Sequence, residues 1–136
     1  MANTLKLEIV TPEATVYSQE VEYVILTGVE GQMTVLPEHS RLMTQLVPGE
    51  MVVRRGGQDE FLAVGEGIVQ VTSESVAVLT DMAVAAANID EVKAEEARRR
   101  AEARLKEKLS TEEVASVNAS LARSLAQIQV KRRRRT

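Results

Sequence analysis

His39 is the only histidine in the chain, and it lies in Leu36-Pro37-Glu38-His39-Ser40, where a serine and an acid flank it. Imidazole is the side chain that changes charge near neutral pH, so a Ser/His/acid relay is the first chemistry to test. Ser40 has no nucleophile-elbow context, and an ordinary loop histidine is the plainer reading. A metal site needs several ligands at suitable spacing, and one histidine with scattered acids does not supply them. No cysteine is present, which excludes disulfides and thiolate ligation and is compatible with a reducing compartment. Gly65-Glu66-Gly67 has the glycine content of a phosphate loop, but no Walker pattern or dinucleotide fingerprint follows, so a strand-to-strand turn explains it better. Lys131-Arg132-Arg133-Arg134-Arg135 is the sharpest charge feature. Such a run suits nucleic acid, acidic lipid or an acidic protein surface, or is a solvated terminus. These residues point to a non-catalytic interaction protein, with no catalytic and no metal-binding residue assigned.

The elements that must carry these residues fall into two units. Residues 1–87 hold 12 acidic and 4 basic side chains, net −8, whereas residues 88–136 hold 8 and 13, net +5. All seven glycines, all three prolines and all three aromatics (Tyr17, Tyr23 and Phe61) lie in the first unit. That acidic unit, and the lack of aromatics beside the basic run, speak against nucleic acid as the partner. The stretch Met1 to Val10 has no basic segment leading an apolar core, so no signal peptide is expected. No apolar run nears the roughly 20 residues that a membrane-spanning helix needs.

Leu5, Leu7 and Ile9 alternate with Lys6 and Glu8, the period-2 pattern of a half-buried strand. Val21, Tyr23 and Ile25 repeat it, and β-rich runs follow at 51–54, 61–64, 68–71 and 76–79. Turn signals separate them, and Gly56-Gly57 predicts a tight hairpin between residues 53 and 61. Short strands about ten residues apart, with no helices between them, predict an all-β sandwich over residues 1–87.

Residues 88–136 predict an antiparallel α-helical hairpin. Asn88 and Glu91 are read as the capping pair of a first helix starting near Ile89. Thirteen of the 19 residues from 90 to 108 are charged, and Glu95–Arg99, Glu96–Arg100 and Glu102–Lys106 have the spacing of helical ion pairs. The apolar stripe of this helix is Ala94, Ala97, Ala101 and Leu105. Ser110-Thr111-Glu112-Glu113 is a second capping box, after which Val114, Val117, Leu121, Leu125 and Ile128 recur at helical spacing. Alanine methyls bury little area, so the hairpin is expected to be weakly held and free to move. From residues alone, the alternative reading is a free-standing adaptor whose basic hairpin binds nucleic acid or acidic membrane. An independent hydrolase is disfavoured, because no activated nucleophile is visible.

The chain resembles, over nearly its whole length, the ε subunit of bacterial and chloroplast F-type ATP synthases, the mitochondrial δ equivalent. The resemblance is carried by Leu7-Glu8-Ile9-Val10-Thr11-Pro12-Glu13, by Thr27-Gly28-Val29-Glu30-Gly31-Gln32-Met33-Thr34-Val35-Leu36-Pro37-Glu38-His39, and by Leu46-Val47-Pro48-Gly49. Val76-Ala77-Val78-Leu79-Thr80-Asp81-Met82-Ala83 and Asn88-Ile89-Asp90-Glu91-Val92-Lys93-Ala94 complete it. It implies a peripheral, non-catalytic rotor subunit on the cytoplasmic face of a bacterial plasma membrane. Its partners would be the γ subunit, the c-ring and the catalytic α and β subunits, without nucleic acid. Glu30, Gln32 and His39 match the segment facing the ring or γ, and the coupled ion is a proton or sodium.

The resemblance also implies that the hairpin rests on the sandwich or extends into the catalytic head and blocks ATP hydrolysis. Arg123, Lys131, Arg132 and Arg133 are then the candidates for contacts with acidic β-subunit surface. No cofactor is required, but some relatives bind regulatory ATP through Ile-Asp-x-x-Arg-Ala. Ile89, Asp90, Lys93, Arg100 and Arg123 are the matching positions here. The chain departs from that motif, with Lys93 replacing a planar guanidinium and Gln127 replacing another arginine. Glu66 stands where the family has a Gly-Gly-Phe-like turn, and the basic terminus is longer than the family's usual one.

Overall fold

The computed structural model describes residues 3–134. Ten strands come first: β1 (Leu5–Val10), β2 (Thr15–Val21), β3 (Tyr23–Gly28), β4 (Gly31–Val35), β5 (Leu42–Leu46), β6 (Gly49–Arg55), β7 (Gln58–Val64), β8 (Gly67–Val71), β9 (Ser75–Thr80) and β10 (Ala83–Ala85). A single 3-10 turn, Ala86–Asn88, leads to α1 (Glu91–Arg104) and α2 (Thr111–Arg133). The expected all-β sandwich followed by two helices is the architecture found.

The strands pair in the order β10-β7-β6-β3-β5-β8-β9-β1-β2, with β4 on β3, and all pairs are antiparallel except β1 with β9. The ladder folds over so that Leu5, Leu7 and Ile9 of β1 meet Val24 and Leu26 of β3, Met51 and Val53 of β6, and Val69, Val71, Val76 and Val78 of β8 and β9. This core of sixteen buried residues draws nothing from the helices, so the sandwich carries its own hydrophobic stabilisation. Tyr17 ties β2 to β7 by donating its hydroxyl to Glu60 at 2.9 Å. Burial, and then that carboxylate, push the phenol up to about 12.

The β6–β7 turn is built as its glycines require, with Gly56 at φ 60° and Gly57 at φ 76°, the paired left-handed geometry of a tight hairpin. The reading of 21–25 as one alternating strand needs correction. The chain leaves β1 at Val21, which pairs with Leu5, and joins β6 at Tyr23, which pairs with Arg54. Crossing between layers at Glu22 shifts the inward phase, so Val24 and Leu26 are buried while Tyr23 and Ile25 are half-buried.

The first helix also starts later than its sequence suggests. Ile89 is extended and buried beside Ala63 and Val130, and Asp90, not Asn88, is the cap, accepting from the Lys93 amide at 3.1 Å. The Ser110–Glu113 capping box of α2 forms in full. Its hydrogen bond from the Ser110 amide holds the Glu113 carboxyl below its usual range. Among the described residues, the ion pairs within α1 centre on Arg98, which reaches Glu95 at 2.8 Å and Glu102 at 3.9 Å, in place of the three pairs expected. On α2 the buried positions are Ser124, Ala126, Ile128 and Val130, whereas Val114 is exposed. All four buried positions fall in the second half of this helix, which packs on β6 and β7 as well as on α1, so two contact faces replace the single stripe expected.

Candidate functional site

Three surfaces can take partners. The first is the segment from 30 to 39, which the structure divides. Glu30 lies in the β3–β4 turn beside Gly28, whose partners are Gly31 and Leu46. His39 lies beyond the far end of β4, next to the start of β5, where Leu42 pairs with Val71. Gln32 is in β4 itself, opposite Thr27. Four strand steps of about 3.3 Å put roughly 13 Å between the two ends of β4 alone. The structure therefore brings Glu30 and Gln32 together and sets His39 apart. The His39 ring donates from Nδ1 to the Ser40 carbonyl at 2.7 Å. Glu38 beside it is held at φ 66° with its amide on the Ser73 carbonyl, a backbone conformation that costs about 1–2 kcal/mol in a residue with a Cβ.

The second surface is the outer face of β5, β8, β9 and β1. Register puts Gln45, Ile68, Leu79 and Val10 in one cross-strand row and Met43, Gln70, Ala77 and Glu8 in another on the same side. Met43 is 65 % exposed, Leu79 51 % and Ile68 48 %. A shallow cavity of about 390 Å³ lined by Val10, Pro12 and Leu79 adjoins them. The strip had a sequence signal in Val76-Ala77-Val78-Leu79, a strand apolar on both faces and so expected to be covered twice.

The third surface is the seam between hairpin and sandwich. Arg132 at the end of α2 donates to Glu91 at 2.8 Å and to Glu95 at 2.7 Å near the start of α1, which makes the helices antiparallel. Arg123 donates to Asp81 at 2.9 Å, and Gln127 reaches the Met82 sulfur at 3.0 Å. Lys131 donates to the Ala86 carbonyl at 3.1 Å. Arg134 grips Glu50 with two hydrogen bonds, 2.7 Å from Nε and 2.6 Å from Nη2, and lies 3.8 Å over the Phe61 ring. Those bonds hold its pKa above the usual arginine range. Arg133 approaches the same carboxylate at 3.7 Å. Residues 131–134 are thus engaged within the molecule, and Arg135 lies outside the described residues. No sequence signal marked Glu50 or Asp81 as anchors, because their partners are 84 and 42 residues away.

The nucleotide-site candidates are engaged separately in this arrangement. Asp90 caps α1, Ile89 is buried, Arg123 is paired with Asp81, and Arg100 lines a cavity of about 480 Å³ between the helices with Ala97, Arg104 and Ser120. Among the described residues no three histidines, cysteines or acids cluster as metal ligands, and no helix is long and apolar enough to cross a membrane.

Comparison with known proteins follows the same two-part division. The family described as ATP synthase, Delta/Epsilon chain, beta-sandwich domain matches residues 4–86, and the long alpha-helix domain of that chain matches residues 87–132. The ATP synthase epsilon chain of Herminiimonas arsenicoxydans is 41 % identical over 94 % of this chain and 93 % of its own. That of Dehalococcoides mccartyi is also 41 % identical, over 96 % and 94 %. A chain of the Euglena gracilis mitochondrial ATP synthase (OSCP/F1/c-ring) superposes with a TM-score of 0.70 at 22 % identity, covering 90 % of this chain and 78 % of that one. A chain of the Tetrahymena thermophila central stalk and c-ring gives 0.63 at 12 %, covering 93 % and 96 %. At those identities the two structures speak to the fold.

Proposed function

The chain belongs to the ATP synthase delta/epsilon family, and from that premise we propose that it is a non-catalytic rotor subunit coupling γ to the c-ring, its helical hairpin restraining ATP hydrolysis. The observation that carries the coupling role is the apolar strip of Met43, Ile68 and Leu79 on the outer sheet face. Strands that are apolar on both sides need cover on both sides, and γ is the neighbour that would supply it. The turn at Glu30 and Gln32 is the candidate for the polar loops of the c-ring. His39, at the opposite end of β4, is assigned to a separate contact, on γ. Attachment to the membrane is through these partners, at the cytoplasmic face of a bacterial plasma membrane, and the coupled ion is a property of the ring.

Replacing Ile68 by glutamate places a charge in the middle of the strip without touching the inner core. I68E is expected to weaken binding to γ by about tenfold or more, the ordinary scale for a charge buried unpaired in an interface, while the melting temperature stays near that of the parent. Titration of γ with parent and variant reads the difference, and equal affinities would remove the strip from the γ interface.

Regulatory ATP at the hairpin would draw on Asp90, Lys93, Arg100 and Arg123. The Lys93 ammonium lacks the planar fork that holds a phosphate at two oxygens. K93R is therefore expected to tighten ATP binding by about tenfold in calorimetric titration of the whole subunit, the scale of one added charge-assisted hydrogen bond. An unchanged affinity would take Lys93 out of the site.

A further inference from the structure

Deepening the proposed coupling role, and resting on it, we infer that Gln45 and Gln70 fix the register of γ on the outer strip by binding the backbone edge of one extended γ segment. Gln45 lies opposite Ile68 on the neighbouring strand and Gln70 opposite Met43, so the two carboxamides sit on a diagonal among the exposed apolar side chains of the strip. Ala77 is the neighbour of Gln70 on its other side. Gln70 is exposed and Gln45 half-buried. Among the described residues neither carboxamide makes a hydrogen bond, whereas that of Gln127 does. Water satisfies both in the free subunit, and a partner that covers the strip removes that water.

A covered amide without a partner is costly, so the γ surface has to answer each one. A carboxamide donates and accepts at once, and its complement is a group that does the same. The peptide group is that complement wherever its N–H and C=O are free. The side of a helix offers no such groups, because its backbone bonds are made internally. An extended segment with an open edge offers them at every second residue, about 6.6 Å apart. Diagonal neighbours on two paired strands are about 7–8 Å apart. That match selects one extended segment of γ, running along the line from Gln45 to Gln70. Sliding the segment by one residue turns its free groups away from both glutamines, which is how the pair sets register.

The test compares Q70M and Q45M with the parent and with I68E, in titrations of the full-length subunit with γ. Methionine has nearly the length of glutamine and is more apolar, so the sign of the change decides. On a strip that binds by apolar contact alone, Q70M tightens γ binding. Where Gln70 answers a peptide group, Q70M strands that group and weakens binding by about tenfold, the ordinary scale for one hydrogen-bonding group left unpaired, and Q45M does the same. Melting temperatures of both variants are expected to stay near that of the parent, because neither carboxamide is bonded inside the sandwich. Amide exchange in γ supplies the second readout. Alternate amides of one segment are expected to slow in the parent complex, and each variant releases one of them. Unchanged or tighter binding by both variants, with I68E weakened, would overturn the inference and leave the strip in the γ interface. Weakened binding with no γ amide released would assign the hydrogen bonds to γ side chains and overturn the extended segment. An I68E affinity equal to that of the parent would remove the strip and the inference together.

Discussion

Replacing Gly67 by alanine is expected to cost the fold at least about 3 kcal/mol, at the severe end of what one added methyl does in a packed structure. A Cβ built on Gly67 falls 1.9 Å from the Leu79 carbonyl oxygen and 2.8 Å from the Thr80 Cα, both backbone atoms. Neither side has room to give, because Gly67 pairs with Thr80 on one side and with Leu46 on the other. The single Thr80 hydroxyl proton lies between the Glu66 carbonyl at 3.0 Å and the Met82 carbonyl at 3.2 Å, which pins the chain at this crossing. Only glycine lets the two backbones approach so closely. Gly65, two residues earlier, is the internal control. Its added Cβ would meet the Asp81 Oδ1 atom, the tip of a side chain that can rotate away. G65A should therefore lose the Arg123–Asp81 pair while keeping the sheet. Thermal unfolding checks both: a fall of about 10 °C or more for G67A, from the usual few degrees per kcal/mol, and a much smaller one for G65A. Equal shifts would mean that the Gly67 crossing is softer than its register suggests.

That contrast shows where sequence reasoning is strong and where it fails. Gly65-Glu66-Gly67 was legible as a turn between strands, and Gly56-Gly57 as a hairpin, because glycine pairs at such spacing have few other uses. The Ser110–Glu113 box was equally legible, being completed within four residues. The missing pieces are all products of distance. The inward phase flips at Glu22 because β2 and β3 belong to different layers, which alternation within 21–25 cannot reveal. Asp90 displaces Asn88 as the cap because Ile89 is drawn into a pocket with Ala63 and Val130. Glu30 and His39 seemed one surface because they are nine residues apart, but β4 between them is extended and carries them to opposite ends. The clasp at Glu50 joins the start of β6 to the last turn of α2, and nothing local to either segment foretells it.

Removing residues 88–136 from the subunit within the assembled enzyme is expected to leave assembly intact and to raise ATP hydrolysis by at least about fivefold, the lower range of allosteric coupling. Assembly should survive because the sixteen-residue core lies wholly between Leu5 and Val78, and the outer strip and the Glu30 turn also lie ahead of residue 88. What the helices cover is slight: Ala63, with Met82, Val84 and Ala86 at its margin. Asp81 and Glu50 lose their arginines, but both become hydrated when the helices leave, so no charge is stranded in a dry interior. The same economy explains why the hairpin suits a switch. It is held by a small apolar contact, Ile89 and Val130 on Ala63, and by ion pairs at a partly wet seam, where an exposed pair contributes about 0–1 kcal/mol. A few such terms leave the docked and released states close enough for modest differential contacts to move the balance. Hydrolysis by membranes carrying the truncated subunit, with γ retention measured on the same sample, separates the two halves of the claim. Retained γ with unchanged hydrolysis would end the restraining role; lost γ would show that the helices are needed for coupling.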